Sequence, residues 1–310
     1  MNIAAKKLAA GILLCCTTLA AASSATPDPG PNTISVRLLR GYLMIAQVSI
    51  NDRGPYDFLV DTGSNTTLLD PGLAAELGLH AKDKMQLTSL SSSAGVPRYF
   101  LGKLSVGTAA LSNLEALALP LTQLRALDGD IRGVLGMNFL LHFSFRLDFD
   151  RPALELYSSP DKAQIPAGLS VKVQINQARL LVPVASAAAL RGTWKLGLDS
   201  GISQFLVFED RLAPADDAPC HDSSCLIQVS TNLAQQQAGT QLLQDISLSD
   251  ERLPAQQVVI LHNDLQSPGD PQDGLLPAAP FHSIFFDRST ASLIFSPSPG
   301  GTAVAALQPH

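Results

Sequence analysis

The sequence predicts an all-β protein with two homologous, β-barrel-like lobes and a cleft between them. Short apolar segments separated by turns rich in Gly, Pro, Asn and Asp are typical of strands. The two lobes follow from an internal repeat, in which Phe-Leu-Val-Asp-Thr-Gly-Ser at residues 58–64 corresponds to Leu-Gly-Leu-Asp-Ser-Gly-Ile at residues 196–202. Asp61 and Asp199 occupy the same place in the two copies. Such a repeat indicates that one supersecondary unit occurs twice.

Further parts of the repeat keep their order and spacing. An apolar segment at 133–136 follows the first aspartate, and its counterpart at 274–277 follows the second aspartate at nearly the same interval. Phe-Asp-Arg then closes each half, at 149–151 and at 286–288. We therefore predict an N-terminal lobe over 34–158, a linker over 159–169, a C-terminal lobe over 170–297 and a flexible tail over 298–310.

The segment at 1–25 has the pattern of a secretory signal peptide. Two lysines precede the apolar run at 8–14, and Ser-Ser-Ala before the cleavage point supplies the small residues that a signal peptidase reads. We predict cleavage after Ala25. A membrane anchor would need about 20 strongly apolar residues, and a lipoprotein would need a small residue before Cys15, so both alternatives fit less well.

The charge and hydropathy of the remaining chain exclude two classes of partner. The whole sequence has a net charge of −6, which becomes −8 when the segment at 1–25 is lost with its two lysines. Nucleic acid binding needs basic patches, and the sequence shows none. No later segment is apolar enough to span a membrane, so we expect no integral span after cleavage and a periplasmic or secreted location.

Cys220 and Cys225 remain after cleavage and lie close together in a loop rich in Pro and Asp. In an exported protein such a pair indicates a small disulfide. His221 invites a metal interpretation, but a zinc site usually needs four ligands and the other histidines show no ligand spacing. We therefore predict a Cys220–Cys225 disulfide, no metal site and no cofactor.

Asp61 and Asp199 are the candidate catalytic residues. Each follows an apolar strand and precedes a glycine, Gly63 or Gly201, whose backbone freedom permits a sharp turn. Two carboxylates about 3 Å apart cannot both ionise, so they share one proton. The ionised member can take a proton from water while the protonated member polarises a carbonyl group. Such a pair can hydrolyse an amide without a metal or a nucleophilic side chain.

The segment at 56–64, Tyr-Asp-Phe-Leu-Val-Asp-Thr-Gly-Ser, resembles the active-site strand and loop of pepsin-like and retropepsin-like aspartic proteases. Gly-Val-Leu-Gly at 133–136 is similar to the apolar segment behind that loop in the family. The resemblance implies a bilobal acid-protease fold and an enzyme that cleaves a polypeptide. It also implies a monomer, because one chain supplies both aspartates. It also implies roles for the matching residues: Asp61 and Asp199 are catalytic, the hydroxyls of Thr62 and Ser200 join the lobes, and Gly63, Ser64 and Gly201 complete the motifs.

The second lobe departs from the family pattern at two places. Ile202 stands where pepsins usually have a hydroxyl residue, and Pro277 replaces the glycine that ends the second apolar segment. Two alternatives to an exported endopeptidase therefore stay open. One is a non-catalytic periplasmic peptide-binding module on the same fold, and the other is a dimeric protease whose active aspartate is Asp61 alone. Tyr99 lies in the candidate flap, 89–100, where a merely buried tyrosine is an equally good interpretation.

The residues after the two motifs predict which aspartate carries the shared proton. Ser64 can donate a hydrogen bond to Asp61 and favour its ionised form, whereas Ile202 cannot donate and favours a neutral Asp199. On this interpretation Ser64→Ala moves the acid limb of the pH–rate profile to higher pH. The alternative is that Ser64 only caps the turn.

We expect protein purified from the exported fraction to contain the Cys220–Cys225 disulfide. Intact-mass measurement should show that reduction increases the mass by two hydrogen atoms. Because the closed loop is short, the disulfide should contribute at the low end of about 2–4 kcal/mol to the free energy of unfolding. Two free thiols in freshly exported protein would contradict the prediction.

Overall fold

The structure, a computed structural model, describes residues 32–88, 92–158, 165–214, 226–230, 235–262 and 270–296. Strands dominate these ranges, with three short α-helices and a 3-10 helix at Glu209–Arg211, which confirms the predicted all-β class. None of the helices described is long and apolar enough to cross a membrane. The predicted signal peptide, the Cys220–Cys225 pair, residues 159–164 of the predicted linker and the tail over 298–310 lie outside the described residues.

The N-terminal half forms a sheet of eight strands with three helices beside it. The first nine strands of the chain are β1 (Asn32–Ser35), β2 (Arg37–Leu39), β3 (Leu43–Ile50), β4 (Arg53–Val60), β5 (Thr67–Leu69), β6 (Asp83–Thr88), β7 (Ser93–Val106), β8 (Ala109–Ala118) and β9 (Ile131–Leu135). The sheet order is β2-β3-β4-β9-β5-β8-β7-β6. The helices are α1 (Pro71–Glu76), α2 (Thr122–Leu127) and α3 (Met137–Leu140).

The C-terminal half repeats this plan with a second sheet. The remaining strands are β10 (Ser144–Asp148), β11 (Ala153–Tyr157), β12 (Leu169–Lys172), β13 (Gln174–Asn176), β14 (Arg179–Ala185), β15 (Thr193–Asp199), β16 (Phe205–Phe208), β17 (Ile227–Ser230), β18 (Gln235–Leu243), β19 (Ser247–Leu248), β20 (Glu251–Arg252), β21 (Gln256–Leu261), β22 (Gly274–Pro277), β23 (Ser283–Asp287) and β24 (Ser292–Ser296). The order in this sheet is β17-β18-β21-β16-β22-β15-β14-β19-β20, and β13 pairs with β14.

A third sheet of six strands joins the two halves. Its order is β1-β11-β10-β23-β24-β12, so each half contributes three adjacent strands. The halves meet where β10 and β23 pair antiparallel, with Phe145 opposite Phe286 and Leu147 opposite Ile284. These four side chains are fully buried in one apolar core that draws residues from both halves. Both lobes therefore lie within one compact unit.

The strands that lead to the two aspartates are buried where they approach the site, at residues 58–60 of β4 and 196–199 of β15. Side chains of a strand alternate between its faces: Phe58 and Val60 of β4 contact the shared core, while Leu59 contacts a smaller cluster on the opposite face. In β15, Leu196 and Leu198 likewise contact the shared core. Burial on both faces explains why these segments are nearly continuous apolar runs.

Helix α1 begins where the sequence favours a helix start. The Asp70 carboxylate accepts a hydrogen bond from the Gly72 N–H at 2.9 Å, and Pro71 occupies the first helical position. The helix ends at Glu76, shortly before Gly78, whose φ of +67° is left-handed. A left-handed residue cannot continue an α-helix, which keeps α1 short.

One detail of the predicted repeat is wrong. The sequence pairs Phe-Asp-Arg at 149–151 with Phe-Asp-Arg at 286–288, but the strand register equates Asp148 with Asp287. Each of these aspartates ends its strand, β10 or β23, and faces the first residue of the next strand across a short turn. Each accepts a hydrogen bond from a backbone N–H of that turn. The shared tripeptide is therefore a chance match, and the turn-capping carboxylate is the true counterpart.

Candidate active site

Asp61 lies directly after β4, in a loop that leads into β5. Strand β9 lies between these two strands, parallel to β4 and antiparallel to β5, with Val60 opposite Leu135. The Asp61 N–H donates to the Leu135 carbonyl at 3.1 Å. The predicted apolar segment at 133–136 thus lies behind the loop and fixes where the loop starts.

Asp199 ends β15 and has an equivalent setting in the second lobe. Strand β22 lies between β15 and β16, and Pro277 is opposite Asp199 at the place that Gly136 has in the first lobe. The Ala278 N–H donates to the Asp199 carbonyl at 2.9 Å. At Gly136 a Cβ would lie 2.5 Å from the Thr66 carbonyl, so the first lobe requires glycine there. The second lobe accommodates proline and keeps the same strand arrangement.

Reciprocal hydrogen bonds join the two aspartate loops. The Thr62 N–H donates to Ser200 Oγ at 3.0 Å, and the Ser200 N–H donates to Thr62 Oγ1 at 3.0 Å. The Ser200 hydroxyl in turn donates to the Val60 carbonyl at 2.8 Å. Thr62 and Ser200 are 1% and 0% exposed, so water cannot replace these bonds. The two hydroxyl residues therefore fix the position of one loop against the other.

The carboxyl groups of Asp61 and Asp199 hydrogen-bond to each other. Asp61 is half-buried and Asp199 is only 7% exposed. Their approach leaves no room for a side chain at Gly63 and makes one tight at Gly201. A Cβ on Gly63 would lie 2.3 Å from Asp199 Cγ, and one on Gly201 would lie 3.2 Å from Asp61 Oδ1. Neither glycine has a positive φ, so the reason for glycine at position 63 is the close approach of the opposite carboxyl rather than the backbone freedom that the sequence suggests.

Burial raises the pKa of both carboxyls, because it disfavours the charged form. For Asp61 this is partly offset by hydrogen bonds from the N–H groups of Gly63, at 2.9 Å, and Ser64. Asp199 accepts from the Gly201 N–H at 2.7 Å, but the negative charge of Asp61 raises the Asp199 pKa further. The two groups therefore titrate as a pair that shares one proton, and because backbone N–H groups favour the ionised form of Asp61 we expect that proton on Asp199.

The reason that the sequence suggests for this distribution is wrong. The Ser64 hydroxyl donates to the Thr66 carbonyl at 2.8 Å, and it is the Ser64 backbone N–H that donates to Asp61. Ser64→Ala keeps that N–H, so no shift of the acid limb follows from the structure. Ser64 caps the turn, which is the alternative interpretation. Ile202 packs against the apolar cluster that contains Leu206 in the second lobe.

Tyr99 belongs to the packing of the hairpin rather than to its tip. It lies in β7 opposite Ala116 of β8 and packs, partly buried, against the shared core. Residues 89–91, between β6 and β7, lie outside the described residues. The structure thus supports the interpretation of Tyr99 as a packing residue.

One cavity in the first lobe lies apart from the carboxyl pair. It has a volume of about 630 Å³ and is lined by residues that include neither Asp61 nor Asp199: Pro55, Tyr56, Asp57, Asp70, Gly72, Arg125, Gly129, Asp130 and Arg132. An extended peptide needs an open cleft rather than an enclosed pocket, so the chemistry of the site is the better guide. Across the described ranges, no three His, Cys, Asp or Glu side chains are grouped as metal ligands.

Two residues near the Asp61 loop escaped the sequence analysis. Thr67, the first residue of β5, and Asn138, in α3, hydrogen-bond to each other although they are far apart in the chain. The available signal was the position of Asn138 just after the apolar segment at 133–136. That signal is weak, because an asparagine close behind a glycine more often belongs to a turn.

Comparison with known proteins agrees with this geometry. Residues 46–139, from β3 into α3, match the family described as Aspartyl protease. The resemblance to aspartic proteases is confirmed. The match contains Asp61, Thr62 and Gly63 and supports aspartic protease activity, while Asp199 lies outside it. No curated protein matches the chain. One similar solved structure is a retropepsin-like aspartic protease from Rickettsia conorii, with 24% identity, coverage of 41% of this chain and 91% of that one, and a TM-score of 0.31.

Ser200→Ala should destabilise the protein, because it leaves the buried Thr62 N–H without an acceptor. The expected cost in the free energy of unfolding is about 1–3 kcal/mol, measured by urea denaturation. Ser292→Ala is the matched control, since Ser292 is 4% exposed and its hydroxyl makes one long bond of 3.5 Å. Equal losses of unfolding free energy in the two variants would show that the cross-lobe bonds contribute no more to stability than the long bond of Ser292.

The raised pKa of the carboxyl pair predicts how stability depends on pH. The folded protein keeps a proton above the ordinary carboxyl pKa of 3.8. The stabilisation that this bound proton gives to the folded state is therefore complete below that pH. It is lost as pH rises through the raised pKa of the folded state. Asp199→Asn cannot ionise, so its Tm should exceed that of the wild type at neutral pH.

Thermal unfolding across a pH series tests this. The difference in Tm should shrink as pH falls toward 3.8. Asp250→Asn changes an exposed carboxylate and should show no such trend. A pH-independent difference for Asp199→Asn would contradict the prediction.

Proposed function

We propose that this chain is an exported aspartic endopeptidase that hydrolyses peptide bonds with a water activated by Asp61 and Asp199. The observation that carries the proposal is the hydrogen-bonded carboxyl pair, one member from each lobe. Burying a pair of carboxyls lowers the stability of the folded protein, since desolvation disfavours the charge that one of them retains. A pair arranged to share a single proton is instead the requirement for general acid–base hydrolysis.

The proposed steps use the two protonation states of the pair. Ionised Asp61 takes a proton from water as the water oxygen attacks the peptide carbonyl carbon, and Asp199 gives its proton to the carbonyl oxygen. In the tetrahedral product, Asp61 then passes its proton to the amide nitrogen. The C–N bond breaks, and Asp199 recovers a proton from a hydroxyl of the intermediate. One water is consumed, two chain ends form, and the pair returns to its starting state.

The geometry supports a monomeric enzyme. Both carboxyls and both bonds between Thr62 and Ser200 come from one chain. A dimer that relied on Asp61 alone would have no use for a second lobe that places Asp199 against it. The peptide-binding module remains an outcome of the test below, because Ile202 and Pro277 depart from the family pattern in that second lobe.

Export is the second part of the proposal. It is supported by the sequence of residues 1–25, with lysines, an apolar run and small residues before the cleavage point. The substrate is therefore proposed to be a polypeptide met in the periplasm or outside the cell. No cofactor enters the proposed chemistry.

Asp61→Asn and Asp199→Asn should each lose activity while keeping the fold. Either change removes one partner of the shared proton, and general acid–base catalysis is worth about 10²–10⁴-fold in rate. The measurement is initial rate with an internally quenched peptide selected from a mixed library, with and without a statine-type inhibitor. Circular dichroism checks the fold.

Asp250→Asn is the control and should keep full activity. Full activity in Asp199→Asn would overturn the two-carboxylate mechanism and favour a dimer built on Asp61. Tight binding of the statine-type inhibitor without any turnover by the wild type would favour the peptide-binding module.

A further inference from the structure

A polar contact behind the Asp61 loop joins β5 to α3. Asn138 Oδ1 accepts two hydrogen bonds from Thr67, one from its N–H at 2.9 Å and one from its hydroxyl at 2.8 Å. Asn138 Nδ2 donates to the Glu115 carbonyl at 2.8 Å. Thr67 is fully buried, so loss of either partner would leave buried polar atoms unsatisfied.

This contact completes the attachment of the Asp61 loop to the end of β9 and the residues that follow it. The loop entrance is held by the Asp61 N–H on Leu135, and its middle is held by the Met137 N–H, which donates to the Ser64 carbonyl at 2.8 Å. Its exit is held by Asn138 on Thr67. The N–H groups that donate to the Asp61 carboxylate belong to residues between these attachments.

The second lobe has no polar equivalent of this contact among its described residues. The strand registers place Phe205 at the position of Thr67 and Pro277 at the position of Gly136. Ala279 follows Pro277 at the same interval as Asn138 follows Gly136. Phe205 is 1% exposed and packs into the shared core. Apolar packing therefore supports the Asp199 loop, whereas directional hydrogen bonds support the Asp61 loop.

We propose that Asn138 and Thr67 are positioning residues for catalysis, which hold the Asp61 loop so that the N–H groups of Gly63 and Ser64 point at the Asp61 carboxylate. The inference rests on the proposed function. Neither residue touches the carboxyl pair, so both act through the loop. Directional bonds suit this loop because Asp61 is the member that must stay ionised, and it does so only while those N–H groups are in place.

Two variants remove the contact in different ways. Asn138→Ala removes the acceptor, and Thr67→Val removes the hydroxyl with little change of shape. With the quenched peptide, each should lower kcat by roughly 10–100-fold with little change in KM, as expected for small misplacement of a reacting group. The acid limb of the kcat/KM profile should also move to higher pH, because a less well solvated Asp61 ionises less readily.

A conservative variant and a matched control separate positioning from general destabilisation. Thr67→Ser keeps the hydroxyl and should retain wild-type kcat within about threefold, a difference below about 1 kcal/mol. Asn32→Ala removes an asparagine that likewise accepts from a backbone N–H, of Thr108 at 3.0 Å, and donates to a carbonyl, of Val106 at 2.8 Å. Asn32 lies in β1, outside the sheet that contains β4, β5 and β9. The loss of rate in the double variant Asn138→Ala/Thr67→Val should be smaller than the product of the two single losses, since the bond between the two side chains is removed by either change. The losses need not coincide, because Thr67 Oγ1 also accepts from the Gly136 N–H at 3.4 Å and Asn138 also donates to the Glu115 carbonyl.

The inference is overturned if Asn138→Ala keeps wild-type kcat and acid limb, or if Asn32→Ala produces the same changes. Hydrogen exchange gives a readout that needs no activity: peptides covering 61–69 should exchange faster in Asn138→Ala than in wild type or Asn32→Ala. A wild type that cleaves no peptide would refute the proposed function, and hydrogen exchange would still decide whether Asn138 holds the loop. Unchanged exchange over 61–69 would refute the inference by itself.

Discussion

The carboxyl pair depends on two buried hydrogen bonds between Thr62 and Ser200. These bonds cross from one lobe to the other in a place that water does not reach. A buried N–H without an acceptor costs more than an ordinary hydrogen bond contributes, so this arrangement has few alternatives. Because each bonded residue directly follows an aspartate, the two bonds fix the distance between the carboxyls. The six-stranded sheet brings the lobes together, but these bonds set their alignment at the site.

Once the carboxyls are held in contact, their different surroundings affect the pKa of each. Burial raises the pKa of both carboxyls, and ionising both would place two negative charges side by side. The Asp61 loop offsets this with two backbone donors, at Gly63 and Ser64. The negative charge of Asp61 raises the pKa of Asp199 further. The difference between the two carboxyls thus arises from backbone donors and from their mutual charge rather than from the Ser64 hydroxyl, which donates to the Thr66 carbonyl.

The two lobes reach the same loop conformation by different chemistry. Gly136, Thr67 and Asn138 give the first lobe close backbone approach and polar contacts, while Pro277 and Phe205 give the second lobe apolar packing. The family match covers residues 46–139, which lie in the lobe with the polar support. The second lobe has the same strand arrangement and an aspartate at the same place, but the sequence around that aspartate differs from that of the first lobe.

The sequence by itself determined the all-β class, the twofold repeat and the two aspartates with their neighbouring hydroxyl and glycine residues. These depend on local patterns: alternation along a strand, a glycine at a sharp turn and the spacing of repeated segments. Only the tertiary structure decided where the Ser64 hydroxyl points, that Asp148 rather than Asp150 corresponds to Asp287, and that Asn138 contacts Thr67. Each of these is a choice of partner among groups brought together by packing. A hydrogen bond between residues so distant in the chain leaves no periodic trace in the sequence, because its geometry exists only after the strands have paired.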